Sequence, residues 1–589
     1  MKTPPLLRQQ NPSPLAASPG HQELLPLRAT LIVASVLVVG VFALYSPALN
    51  FQFILDDHRF ITDPRLQSSG HLWEYFTSYA WAQTRGGPLC FYRPVFVLWL
   101  RLNFILGGTS PWLWHLLSIA KHVLVAVLLG LLVWKLLRDR VAALLAAALF
   151  ALHPAQTESV AWVTVPDPLM SAAVLGSILL YLRYAERSPL HNQLQPAKFQ
   201  RKSRTQLRGK SSGTSAAWMM ASVAACLAAL MAKETAIVLP AVIFAMALLI
   251  AAVKAESLRK ADREEPASGE NMWSRSRLRS AFRRTFPFLA ATVVYLFLRL
   301  NALQGQLSPP TQHLPWRTVV LSWPATLWFY GKVLLWPIRS RAFADPVLAD
   351  SFSLRGVVLP GLEVCCLAAA LAGGCASAWR RAQRDLPDRE ARGVKQALLL
   401  GTLILVLPIL LVLNLNALNP GDFLHGRYTY LPLSGLMLLI AAGWRLAQKG
   451  RIVLLLAAGF VTMAFAVLTV KQESAWNDDL TLFTVAHQIA PHNEPVAQNL
   501  ANAHVQVAIG LEEADQCDEA MPIFDQVIQQ YQQDWFAWAG RGECLFKLND
   551  LPGAEQSLRR ASELSHEPRV TEEWQQVRER MGLPSAPSN

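Results

Sequence analysis

The chain contains a long series of apolar segments, each about as long as a helix that crosses a lipid bilayer. Of its 589 residues, 52% are hydrophobic and 16% are charged, whereas an ordinary soluble domain carries about 25% charged residues. Lipid offers the backbone no hydrogen-bond partners, so such segments must be helical, and the chain is predicted to be an all-α, polytopic membrane protein of about eleven spans. The predicted spans are residues 29–49, 112–137, 141–153, 160–182, 215–232, 235–253, 286–303, 356–378, 396–413, 428–447 and 452–470. Two more apolar segments, 91–106 and 319–337, are interpreted as re-entrant helices or as further spans.

The positive charge of the chain is concentrated between these apolar segments. The formal net charge is +13, and basic clusters occupy residues 183–210, 254–284, 380–395 and 449–451. Basic loops tend to remain in the cytoplasm, so these clusters indicate orientation and not nucleic-acid binding. Residues 1–28 are then a disordered cytoplasmic tail, and an odd number of spans places the C-terminus outside.

Ionisable and polar residues are grouped on the opposite, outer side. Asp56 and Asp57 stand just after the first span, in the outer loop 50–111. The other members of the set lie near the ends of later spans: Arg93, His153, Glu158, Asp167, Lys233, Glu234, Arg427 and Tyr428. Each of them alone has a structural explanation, such as a helix cap or a snorkelling side chain. Charged groups near membrane depth cost a few kcal/mol each, however, so a set with both signs on one face favours a functional site.

Six short motifs occur in the order found in a known family. They read LDDHRFI, FYRPVFVLWLRLNFIL, ALFALHPAQTESVAWV, LMAKET, NPGDFLHGRYTYLP and ESAWNDDLTLFTVAHQIAPHN. From about residue 45 to residue 565 the chain resembles the transmembrane and tetratricopeptide-repeat family of O-mannosyltransferases, in particular its bacterial-type members. The resemblance implies a GT-C-type transmembrane helix bundle over residues 29–471. One departure is that the family usually has Gly-Arg before the aspartate of its second outer turn, where this chain has Thr164-Val165-Pro166-Asp167.

The resemblance also implies roles for the outer residues. Asp56 is expected to be the general base, with Asp57 orienting the loop or the acceptor. Arg427 is expected to bind the donor phosphate, assisted by Arg93 or Lys233, because a guanidinium can offer phosphate two parallel hydrogen bonds. The remaining residues of the set are expected to support these groups: His153, Glu158, Asp167, Glu234 and Tyr428. Neither a metal nor another cofactor is expected.

Residues 472–582 have a different, repetitive pattern. From Trp538 the spacing of small and apolar residues fits the 34-residue tetratricopeptide repeat, and about two and a half such repeats precede a capping helix near residues 570–580. This predicts a short α-solenoid, followed by a tail at 583–589. Because so few repeats are marginal alone, the solenoid is expected to pack on the membrane domain, as a lid or as a surface for an acceptor or partner protein. A disulfide between Cys517 and Cys544 is an open alternative for an oxidising compartment.

Three functions are compatible with these features. The first is transfer of a sugar, mannose by the resemblance, from a polyprenyl-phosphate donor to a hydroxyl of an acceptor protein or glycan, with Ser and Thr as the favoured acceptors. The others are an oligosaccharide ligase and a non-catalytic membrane scaffold. The expected location is a bacterial inner membrane, with the repeats in the periplasm.

Overall fold

The computed structural model describes residues 26–82, 91–187, 208–262, 274–305, 313–338, 343–345, 348–418, 423–447, 449–565 and 567–584. Within these residues all regular secondary structure is helical, which confirms the all-α prediction. Most of the predicted tail 1–28, residues 585–589 of the second tail, the centres of the basic loops 183–210 and 254–284, and Asn419-Pro420 of the NPGDFLHGRYTYLP motif lie outside the described residues.

The described residues form 23 α-helices, numbered here in chain order. They are α1 (Leu27–Leu44), α2 (Asp57–Ile61), α3 (Pro64–Gln67), α4 (Glu74–Thr77), α5 (Pro94–Gly107), α6 (Pro111–Leu137), α7 (Arg140–Ala151), α8 (Thr157–Ala161), α9 (Asp167–Arg187), α10 (Arg208–Ala232), α11 (Leu239–Asp262), α12 (Arg275–Ala302), α13 (Trp316–Leu335), α14 (Leu359–Asp385), α15 (Asp388–Val412), α16 (Tyr430–Leu446), α17 (Arg451–Glu473), α18 (Asp479–Ile489), α19 (Glu494–Glu513), α20 (Cys517–Gln530), α21 (Trp535–Lys547), α22 (Leu551–Ser565) and α23 (Pro568–Arg580).

Ten helices of the described residues are long and apolar enough to cross a membrane. An eleventh span results if α7 and the segment Pro154–Ala161, which meet at an angle of 55°, are counted as one broken span. The bend lies at His153-Pro154, where a proline cannot continue the hydrogen bonding of the preceding helix. The predicted count of about eleven is therefore confirmed, and the chain is a multi-pass membrane protein. The two ambiguous apolar segments overlap with the helices α5 and α13.

The membrane helices approach one another closely at glycines. A side chain at Gly435 of α16 would lie 2.5 Å from the backbone nitrogen of Leu405 in α15, and one at Gly401 would lie 2.8 Å from the Gly435 carbonyl oxygen. At the other end of α15, a side chain at Gly393 would overlap the carbonyl group of Leu136 in α6. Small residues allow such backbone contact between membrane helices, and here they fix α15 between α6 and α16.

The C-terminal helices α18–α23 follow α17 directly, and each packs on the next. A disulfide joins Cys517 at the start of α20 to Cys544 in α21. The structure therefore contains the disulfide that the sequence left open. The first of these helices share an apolar core with the membrane part, in which Phe51, Ile54 and Trp162 lie with Trp476 and Phe483. The C-terminal helices are thus anchored on the outer loop by burial of large apolar side chains.

Candidate functional site

A cavity of about 750 Å³ lies where the ends of several spans meet the C-terminal helices. In the membrane part its polar lining includes Asp56 and Arg59 beside the first span, Arg93 at the start of α5, Lys233 and Glu234 after α10, Arg299 near the end of α12, and His425, Arg427 and Tyr428 before α16. The C-terminal helices add Asp479 of α18 and Asn499, Asn502 and Gln506 of α19. Asp56 and the three cations predicted to bind phosphate therefore share one cavity.

The turn that carries Asp56 has an unusual backbone conformation. Leu55, just before Asp56, has a φ of +52°, in the left-handed region that a leucine rarely adopts. Asp57 holds this turn from below, because its Oδ2 accepts a hydrogen bond from the Ile54 N–H at 3.2 Å. Its Oδ1 accepts two more from Thr164, at 2.6 Å from the hydroxyl and 3.1 Å from the backbone N–H. Asp57 therefore links the turn at Ile54 to the loop at Thr164, and it does not line the cavity.

The environment of Asp57 affects its protonation. Its side chain is buried, and burial raises its pKa from a usual value of 3.8 to about 7, while the hydrogen bonds from Thr164 and Ile54 oppose that rise. The Asp57 carboxyl group therefore titrates close to neutral pH.

Asp479, at the start of α18, binds the same turn from the side of the C-terminal helices. Its Oδ1 accepts a hydrogen bond from the Leu55 N–H at 2.9 Å, and its Oδ2 lies 2.9 Å from His58 Nε2. A backbone hydrogen bond of 2.8 Å from Gln52 to Asn477 runs beside it. The contact with Asp479 raises the pKa of His58. The turn before Asp56 is thus fixed jointly by the membrane part and by the first C-terminal helix.

Two arginines share one carboxylate on one wall of the cavity. Arg93 donates to Glu234 through Nε and Nη2, with an Nη2–Oε2 distance of 2.8 Å, and Arg299 Nη1 lies 3.1 Å from Glu234 Oε1. One carboxylate thus orients both guanidinium groups toward the cavity, which both arginines line.

Arg427 is held by contacts of a different kind. Its Nη1 and its backbone N–H bind the buried Glu158 carboxylate at 3.1 and 2.9 Å. The guanidinium carbon lies 4.6 Å from the centroid of the Trp162 ring and 5.4 Å from that of Tyr428. A planar cation between aromatic faces is well oriented for bidentate contact with an oxyanion.

Lys233 forms a buried ion pair in the cavity wall. Its Nζ lies 2.6 Å from both carboxylate oxygens of Asp167, and it also lies 4.9 Å from the centroid of the Tyr428 ring. Asp167 thus has a cationic partner even though the arginine that the family usually carries before it is absent. Since the Lys233 side chain is only 6% exposed, most of its charge is already used by Asp167.

The structure separates the predicted site residues into two groups. Asp56, Arg93, Lys233, Glu234, Arg427 and Tyr428 line the cavity, and Glu158 and Asp167 bind two of its cations. His153 lies elsewhere: its Nδ1 accepts the Ala155 N–H, its Nε2 is 3.2 Å from the Leu334 carbonyl, and its ring packs on Phe465. His153 is not among the residues that line the cavity, and its side chain instead caps the short turn Pro154–Gln156.

Several residues of the cavity were not among the predicted site residues, and Arg299 and Asp479 are two of them. Arg299 carries no motif, although an arginine near the end of an apolar span is a usable signal. Asp479 lies inside the motif ESAWNDDLTLFTVAHQIAPHN, yet nothing local indicates that it contacts Leu55. Among the residues that the structure describes, no three His, Cys, Asp or Glu side chains are grouped as metal ligands.

Comparison with known proteins gives a consistent set of relatives. No protein-family model matches the chain. This chain is similar to proteins named O-mannosyl-transferases. The Drosophila melanogaster protein O-mannosyl-transferase Tmtc1 is 25% identical over 549 residues, covering 81% of this chain and 59% of that protein. The human protein O-mannosyl-transferase TMTC1 is 24% identical over 494 residues, covering 80% and 52%.

A higher identity is confined to a shorter region. The Drosophila protein O-mannosyl-transferase Tmtc2 is 33% identical over 202 residues, which are 33% of this chain and 19% of that protein. The chain thus spans little more than half the length of the relatives that it matches broadly. Among solved structures, the archaeal oligosaccharyltransferase AglB from Archaeoglobus fulgidus, in complex with an inhibitory peptide and a dolichol-phosphate, aligns at a TM-score of 0.38 and 14% identity, over 83% of this chain and 59% of that one.

Proposed function

We propose that this chain is a GT-C-type membrane glycosyltransferase that moves a sugar from a polyprenyl-phosphate donor to the hydroxyl group of a protein serine or threonine. The observation that carries the proposal is that Asp56 shares one cavity with Arg93, Arg299 and Arg427 at the outer ends of the spans. The names of the relatives favour mannose as the sugar. The orientation of the basic loops favours the outer face of a bacterial inner membrane, with the C-terminal helices in the periplasm.

In the proposed reaction the acceptor hydroxyl attacks the anomeric carbon from the side opposite the phosphate, which inverts its configuration. Asp56 takes the hydroxyl proton as the new carbon–oxygen bond forms, and the bond to phosphate breaks with its electron pair on the leaving oxygen. General-base help of this kind contributes about 10²–10⁴ in rate. The polyprenyl phosphate then leaves with an added negative charge, which Arg427 and the Arg93–Glu234–Arg299 cluster stabilise.

The carboxylate partners of these arginines favour a preformed phosphate site. Each guanidinium is oriented before the donor arrives, so less side-chain entropy is lost on binding. Lys233 contributes less to phosphate binding than the sequence predicts, because the Asp167 carboxylate neutralises its charge. Arg299 is assigned a share of the phosphate contact, because it lines the same cavity and binds Glu234 together with Arg93.

The test is transfer by purified protein in lipid nanodiscs, supplied with polyprenyl-phosphate mannose and a peptide rich in serine and threonine. Mass spectrometry of the peptide should show added hexose with the wild type, and Asp56→Asn should lower the rate at least about 100-fold. The matched control is Asp385→Asn, which changes an exposed aspartate at the opposite end of the spans. Transfer by Asp56→Asn at the wild-type rate would remove Asp56 as the base, and no transfer by the wild type would favour the scaffold.

A further inference from the structure

A second cavity, of about 930 Å³, lies at the opposite ends of the spans. Its walls are the last turn of α6, the last turns of α9, Ile250 of α11 and the first turns of α15. Helices α9 and α15 have their other ends at or near the first cavity, because Asp167 begins α9 and Val412 ends α15. The second cavity therefore opens on the face that the basic loops assign to the cytoplasm.

The charged lining of this cavity is mostly basic. It contains Lys135, Arg138, Arg389 and Arg392, against the carboxylates of Glu186 and Glu390. Both carboxylates already have a cation: Lys135 Nζ is 2.5 Å from Glu186, and Arg445, behind the wall, binds Glu390. The lining itself has four cations and two carboxylates, which is an excess of two positive charges.

Three arginines of this lining have no carboxylate partner among the described residues. Arg138 lies against the ring of Trp134, Arg392 donates to the Asp388 carbonyl, and Arg389 is exposed. Arg389 and Arg392 belong to the first turns of α15, where the helix dipole adds further positive potential. Such an arrangement is suited to an anion with several oxygens, and guanidinium groups bind phosphate in bidentate fashion.

The cavity also has an apolar side. Leu136, Leu137, Leu182 and Ile250 line it next to the charged groups. A soluble anion gains nothing from such a wall, whereas a phospholipid places acyl chains just below its phosphate. Basic pockets between membrane helices on the cytoplasmic side are known to hold anionic lipid headgroups.

We propose that this cavity binds the phosphate headgroup of an anionic phospholipid from the inner leaflet. Arg389 and Arg392 contact the phosphate from the start of α15, and Arg138 contacts it from the turn after α6. The acyl chains follow the leucine and isoleucine side chains into the bilayer. The site is distinct from the proposed donor cavity, and the proposal does not depend on sugar transfer.

The test is the apparent melting temperature of the full chain in neutral detergent, with added phosphatidylglycerol, phosphatidylcholine or inorganic phosphate. Phosphatidylglycerol should raise the melting temperature of the wild type, and the other two should not. The double variant Arg389→Gln/Arg392→Gln should lose this shift, with at least a tenfold weaker apparent affinity. Native mass spectrometry should show fewer bound lipids on the same variant, and Arg138→Gln provides a second variant if the double variant folds poorly.

The matched control is Arg380→Gln/Arg381→Gln, which removes two exposed charges from the same face, on α14 and outside the cavity. This control should respond as the wild type does. An equal loss in the control would mean that only surface charge matters, and an unchanged response in Arg389→Gln/Arg392→Gln would remove the site. A shift with inorganic phosphate alone, or an equal shift with phosphatidylcholine, would also overturn the proposal.

Discussion

Removal of the Asp479 carboxylate should disturb the turn before Asp56 and lower the proposed transfer rate about tenfold. Asp479 accepts the Leu55 N–H at 2.9 Å, and Leu55 has a φ of +52°. The left-handed conformation costs a non-glycine residue about 1–2 kcal/mol. A hydrogen bond to a charged group contributes about 1.5–3 kcal/mol, so the carboxylate is sufficient to offset that cost.

The lower end of that range applies, because the Asp479 side chain is 27% exposed. The contact with His58 adds about 0–1 kcal/mol and is neglected, since the His58 side chain is 56% exposed. Loss of about 1.5 kcal/mol lowers the equilibrium constant for forming the turn roughly tenfold, because about 1.4 kcal/mol corresponds to a factor of ten. Asp479→Ala should therefore lose about tenfold in kcat/KM, with donor binding unchanged. Asp479→Asn should lose less, because its amide oxygen still accepts the N–H.

A double-mutant cycle distinguishes this role from direct contact with a substrate. Asparagine tolerates the left-handed region better than leucine does, so Leu55→Asn lowers the cost that Asp479 offsets. Asp479→Ala should then reduce transfer less in a Leu55→Asn background than in the wild type. Asp525→Ala, in α20, is the matched control. Normal transfer by Asp479→Ala, or an equal loss in both backgrounds, would refute the positioning role.

Three further predictions concern other parts of the chain. Arg427→Lys should weaken donor binding almost as much as Arg427→Ala, because an ammonium group cannot form the bidentate contact; near-normal donor binding by Arg427→Lys in a lipid-binding assay would mean that charge alone suffices. The raised pKa of Asp57, about 7, means that the folded chain keeps a proton that the unfolded chain releases between pH about 4 and about 7. The melting temperature of the wild type minus that of Asp57→Asn should therefore fall as the pH rises from about 4 to about 7, and it should stay constant above pH 7. A melting-temperature difference that does not change with pH, measured by differential scanning fluorimetry, would contradict this. A reporter that is active only outside the cytoplasm should be active when fused after Arg580, and activity of a cytoplasmic reporter there would overturn the orientation.

The sequence predicts the spans well because the length and apolarity of a segment are local properties. It also predicts which outer side chains come together, since residues at the same ends of packed helices must be neighbours. It does not predict which carboxylate binds which arginine or lysine. Arg427 and Glu158 are 269 residues apart, and nothing in either motif indicates that this carboxylate, and not Asp167, binds that arginine.

The turn before Asp56 was unpredictable for a different reason. A leucine gives no signal for the left-handed region, and the carboxylate that stabilises this conformation stands 424 residues away, at Asp479. The left-handed conformation of Leu55 therefore depends on tertiary contacts that the local sequence does not encode. Similarly, the burial of His153 against Leu334 and Phe465 depends on two helices far along the chain.

The contact between Leu55 and Asp479 has a consequence for biosynthesis. The outer loop leaves the ribosome early, but its partner follows 424 residues later. At a synthesis rate of about 5–20 residues per second, the loop waits roughly 20–85 s before Asp479 exists. Phe51 and Ile54 stay without their apolar partners Trp476 and Phe483 during the same time. During that time the Asp56 turn lacks the hydrogen bond from Leu55 to Asp479, and a molecule whose synthesis stops before α18 lacks it permanently.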